Sequence, residues 1–92
     1  MRKNTVRNLS PKSPALETAL DLIDEDRHVE ADLLLTAALL DSPGEPGLWL
    51  AAGICRLRRG AWRSAGQALR MSAWLSDEPL ARDLLEACRE AS

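Results

Sequence analysis

Residues 46–79 read PGLWLAAGICRLRRGAWRSAGQALRMSAWLSDEP. Two helix-forming runs, Gly47 to Arg59 and Trp62 to Leu75, flank a break at Gly60. Glycine weakens a helix interior and suits the residue just past a helix end, so the stretch divides there into two helices. A connection this short makes the two helices antiparallel neighbours. Gly53 and Ala65 carry almost no side chain, which lets the axes approach closely, while Leu69 fills the wedge beside them. The stretch is a tight helical hairpin.

The same pattern recurs upstream. A shift of 34 residues lays 12–45 on 46–79 and matches Ala19 with Gly53, Ala31 with Ala65 and Leu35 with Leu69. Ser13 can cap the first helix and Pro14 suits its first position. Two apolar stripes follow at helical spacing, Leu16-Leu20-Ile23 and Ala15-Ala19-Leu22. Asp24-Glu25-Asp26-Arg27 marks a turn, Val29 to Leu40 a second helix, and Asp41-Ser42-Pro43-Gly44 a strong break. Downstream, Ser76-Asp77-Glu78-Pro79 starts a closing helix, with Leu80, Leu84, Leu85, Cys88 and Ala91 on one face. Residues 1–12 lack periodicity and are expected to be a flexible basic arm. The expected fold is all-α: two helical hairpins (12–45 and 46–79) and a capping helix (80–91), in a single domain over 13–92.

Composition agrees. The chain has 92 residues, 46% of them apolar and mostly Leu and Ala, with no Phe or Tyr. That balance favours helix over strand. Net charge is only −2, but it is unevenly placed. Residues 13–45 sum to −8 and residues 46–76 to +5, and parts of opposite sign can attract each other when stacked or steer a polar partner. Cys55 and Cys88 are too few for a disulfide framework or a cysteine metal site. There is no apolar run long enough to span a membrane and no secretory signal pattern, so a cytoplasmic location without membrane contact is expected.

The period and hairpin pattern resemble the tetratricopeptide repeat. In the second copy, Trp49, Gly53, Trp62, Ala65, Leu69 and Ser72 stand at that family's aromatic, small and large positions. The first copy keeps Ala19, Leu22, Ala31, Leu35, Ala38 and Pro43, with His28 where Trp62 lies. Departures are Ala15 for the first aromatic, Thr18 and Ala52 for a usual leucine, Arg56 for a tyrosine, and Pro79 two positions late. The resemblance implies a five-helix, right-handed solenoid fragment whose concave face is lined by Leu16, Leu20, Ile23, Asp24, Leu50, Ile54, Leu57 and Arg58. Six of these are aliphatic. Such a trough suits the apolar face of an amphipathic partner helix rather than a free carboxylate; otherwise the basic arm or the closing helix folds back to cover it, or a second copy of the chain buries it. Leu20→Glu or Ile54→Glu would then abolish capture and leave the protein helical. Leu40 and Trp74 occupy equivalent positions where the family is usually polar. They are either covered, Trp74 by the closing helix, or form a second contact surface.

Size, repeat count and the aliphatic trough also resemble the small tetratricopeptide-type chaperones of type III secretion. That resemblance implies a protein that buries the apolar helix of a needle-forming subunit and prevents premature polymerisation, alongside a second small co-chaperone. The alternatives are a general assembly adaptor of the same repeat class and a nucleic-acid binder acting through the basic patch Arg56, Arg58, Arg59 and Arg63. These arginines could instead face the acidic first repeat of a neighbouring molecule or acidic residues on the partner. No glycine-rich phosphate loop, HExxH or GxSxG is present. His28 reads as a framework residue and both cysteines as small hydrophobes. No enzymatic activity, cofactor, metal or small-molecule substrate is expected.

Overall fold

In the computed structural model, residues 14–77 and 79–91 are described. They form five α-helices with no strand: α1 (Pro14–Asp24), α2 (His28–Asp41), α3 (Pro46–Arg58), α4 (Trp62–Leu75) and α5 (Pro79–Ala91). The expected cap Ser13 and the basic arm lie outside the described residues. Proline opens α1, α3 and α5, where its missing N–H leaves no hydrogen bond unmade.

The two hairpins turn in the same way. Past α3, Gly60 N–H donates to Leu57 O (3.0 Å) and Ala61 N–H to Arg56 O (2.8 Å), with Gly60 at φ +79°. Past α1, Asp26 N–H donates to Ile23 O (3.0 Å) and Arg27 N–H to Leu22 O (2.9 Å), with Asp26 at φ 62°. Both are helix ends of the Schellman type, in which a left-handed residue lets the chain satisfy the last carbonyls. Their residues correspond at the 34-residue shift, as do α2 and α4, each of 14 residues.

Each helix packs on the next, and α3 also touches α1 and α5. Burial divides into two clusters. The first gathers Leu16, Leu20 and Ile23 of α1, Leu35 and Leu39 of α2, and Leu48, Ala51, Ala52 and Cys55 of α3. The second joins Leu50 and Ile54 of α3, Ala65 and Leu69 of α4, and Ala81 and Cys88 of α5. The close approach of α3 to α4 occurs where expected: a Cβ on Gly53 would lie 2.6 Å from Leu69 Cγ. Two polar ties seat α3. Trp49 Nε1 donates to Pro43 O (2.7 Å), and the buried Ser72 hydroxyl donates to Pro46 O (3.2 Å).

Candidate interaction surface

The aliphatic positions expected to line an open trough are interior. Leu16, Leu20, Ile23, Leu50 and Ile54 are only 1–6% exposed. The first three are packed into the α1–α2–α3 cluster, and the other two lie in the cluster shared with α5. Leu57 is half-buried, and Asp24 and Arg58 are exposed at the margins. The physical reason is that α1 turns Leu16, Leu20 and Ile23 onto α2 and α3, while α3 turns Leu50 and Ile54 onto α4 and α5. In this conformation those five side chains offer no surface to a partner.

The basic patch is also divided. Arg56 Nε donates to Asp32 Oδ1 (3.1 Å) and Arg59 Nη1 to Asp32 Oδ2 (2.5 Å). Arg56 Nη2 reaches Thr36 Oγ1 at 3.2 Å, and the Thr36 hydroxyl lies 3.4 Å from Asp32 Oδ1. Asp32 and Arg56 are largely buried while Arg59 keeps about two-fifths of its side chain in water. Part of the attraction between the acidic and basic hairpins is therefore met inside this chain, across the α2–α3 interface. Two of the four guanidiniums in the patch are occupied by it.

What remains open is the outer side of α2. Val29, Leu33 and Leu40 are 55%, 68% and 83% exposed, and Ala37 lies exposed between them. Their spacing of four, four and three residues puts them on one stripe, opposite the buried Ala31-Leu35-Leu39 face. The helix is thus apolar on both sides, a pattern that belongs to helices covered on both sides. Glu30 and Asp41 lie beside the stripe; α2 contains no Lys or Arg, but Arg27 just before it donates from Nε and Nη2 to the Glu30 carboxylate (2.6 and 2.8 Å). On α4, Trp74 is 82% exposed and does not pack under the closing helix; Met71, about one turn earlier, is partly exposed. Leu40 and Trp74 were legible from the repeat register. Val29 and Leu33 were not singled out by it, although the run LLLTAALL, which has no polar face, carries the signal.

Other chemistry is sparse. His28 Nε2 lies 3.4 Å from Asp26 Oδ1 at the turn into α2. Among the described residues no three His, Cys, Asp or Glu side chains gather as a metal ion would require. Burial, helped by the nearby Asp32 carboxylate, pushes the Cys55 thiol up to about 12, and burial also raises the Cys88 thiol. Both thiols therefore stay protonated near neutral pH, unlike the thiolates that react as nucleophiles. No helix among the described residues is long and apolar enough to cross a membrane. Comparison with known proteins finds no matching family model, no matching curated protein and no matching solved structure.

Proposed function

We propose that this chain is a tetratricopeptide-type interaction module, two repeats and a capping helix, that binds an amphipathic helix of a protein partner. The observation that carries this reading is the second apolar face of α2, with Val29, Leu33 and Leu40 open to solvent. An apolar stripe with i, i+4, i+8 and i+11 spacing is complementary to the apolar side of another helix. With Glu30 paired to Arg27, Asp41 is the acid left beside the stripe, and it favours an occupant with Lys or Arg next to the end of its own apolar stripe. Stacking of repeats brings equivalent positions of successive second helices to one side of the array, which makes Trp74 a neighbouring anchor to Leu40.

Covering a partner's self-association helix would make the module a chaperone, and the needle-subunit chaperones of type III secretion, with a co-chaperone, are the specific form of that reading. Holding two proteins together would make it a general assembly adaptor. Nucleic-acid binding through Arg56–Arg63 is weakened, because Asp32 already engages two of those arginines and offsets one of their charges.

The test is site-specific photo-crosslinking from positions 33 and 40 in the native host, followed by peptide mapping. Crosslinks should converge on one helical segment of one other protein, and Leu33→Glu with Leu40→Glu should remove that protein from the purified complex. Crosslinks confined to a second copy of this chain, or a complex that survives the double variant, would refute the assignment.

A further inference from the structure

α2 and α4 are helices of 14 residues that correspond at the 34-residue shift, and both pack on α3. The open stripe of α2, Val29, Leu33 and Leu40, therefore has a counterpart on α4: Arg63, Gln67 and Trp74, all exposed. At the Leu40–Trp74 end both stripes are apolar. The charge beside them is Asp41, which has no cationic partner among the described residues. At the Val29–Arg63 end the α4 stripe is cationic. Arg63 has no carboxylate partner among the described residues, and α4 contains no Asp or Glu. The acids around the start of α2 have partners of their own. Arg27 binds Glu25 and Glu30, and His28 Nε2 lies 3.4 Å from Asp26 Oδ1. The helix dipoles add the same polarity, because α2 begins just before Val29 and ends at Asp41, and α4 begins just before Arg63 and ends just past Trp74.

We propose that the partner helix lies along α2 with one flank against α4, and that its apolar stripe carries Asp or Glu at the end seated by Arg63 and Lys or Arg at the end seated by Asp41. This inference rests on the α2 site and the repeat stacking proposed above, and adds which amphipathic helices that site accepts. Val29 and Leu40 are 11 positions apart, about 16 Å along the axis, and so are Arg63 and Trp74. Two opposite charges about three turns apart thus bracket the stripe. A helix with basic residues at both ends would meet Arg63 with like charge, and one with acidic residues at both ends would meet Asp41 with like charge. Such like-charge contacts reject a wrong partner.

The experiment is fluorescence anisotropy on the full chain with three labelled helical peptides that share leucines at the spacing of the α2 stripe. The first carries Glu at one end of the stripe and Lys at the other, the second carries Lys at both ends, and the third carries Glu at both. At low salt the wild-type chain should bind the mixed peptide at least about fivefold more tightly than either of the others. Arg63→Glu should move the preference to the peptide with two Lys ends, and Asp41→Lys to the peptide with two Glu ends. Leu33→Glu with Leu40→Glu should remove binding of all three. Circular dichroism checks that each variant folds. Failure of the mixed peptide to bind, equal affinity for the three peptides, or a preference unmoved by Arg63→Glu and Asp41→Lys overturns the charge pattern. Where the peptides bind equally and the leucine variant still removes them, the α2 site stands without that pattern. Binding that survives the leucine variant overturns the pattern and the α2 site together.

Discussion

Asp32 is the residue on which most polar structure turns. It sits on α2, largely out of water, and binds the guanidiniums of Arg56 on α3 and of Arg59 just past its end, leaving the trio one positive charge in excess. A buried pair is weak evidence of net stabilisation, yet removing one member leaves the other charge uncompensated. Arg59 still reaches solvent, so the cost should fall below that of a fully enclosed pair. Asp32→Ala is expected to lower unfolding free energy by about 2–4 kcal/mol, read by urea denaturation. The sequence announced a charge imbalance between hairpins but not this geometry, because which arginine meets which acid depends on how α3 rolls against α2. Beside this network, the Cys55 thiol is held up to about 12. Its folded value lies above its unfolded one, so the folded chain keeps a proton that the unfolded chain gives up. The resulting stabilisation is complete below the unfolded value and is lost as pH rises towards about 12. Alkaline melts should show this decline, and Cys55→Ala should flatten it.

At the scale of helices, boundaries were legible because punctuation is local. Pro14, Pro46 and Pro79 open helices, and Gly60 closes one with a left-handed backbone. The small-against-large matching of Gly53 and Leu69 was legible too, and it carries a prediction. Gly53→Ala places a methyl group 2.6 Å from Leu69 Cγ in a fully packed site. Overpacking should outweigh the better helix propensity of alanine and leave the variant about 1–2 kcal/mol less stable by thermal or urea unfolding. The trough was not legible. Periodicity tells which side of α1 or α3 is apolar, but not which neighbour lies over it. With Leu20 and Ile54 interior, Leu20→Glu or Ile54→Glu would bury an unpaired carboxylate, so loss of helical signal rather than loss of binding alone is the expected outcome.

For the whole molecule, the inside and outside of the stack make different demands. The outer α2 stripe contributes little to holding the helices together. Leu33→Glu with Leu40→Glu should therefore change unfolding free energy by no more than about 0.5 kcal/mol per site, even as it removes the proposed contact. That separation between stability and binding could not be had from the interior positions. The fold class followed from composition and repeat spacing. The location of an open surface did not, because exposure belongs to the assembled stack and to no single helix.

The division into two clusters has a consequence for how the protein comes apart. α3 is a shared wall, with Ala51, Ala52 and Cys55 turned to one cluster and Leu50 and Ile54 to the other. α5 packs mainly on α4 and little on α3, so its departure leaves the α1–α2–α3 cluster intact. Partial unfolding should therefore begin at α5, in a unit smaller than the five helices together. Each cluster happens to contain one thiol, Cys55 in the first and Cys88 in the second. Under native conditions an alkylating reagent should label Cys88 at least about tenfold faster than Cys55, because local opening costs less than global opening. Equal labelling rates would instead mean that the five helices open as a single cooperative unit.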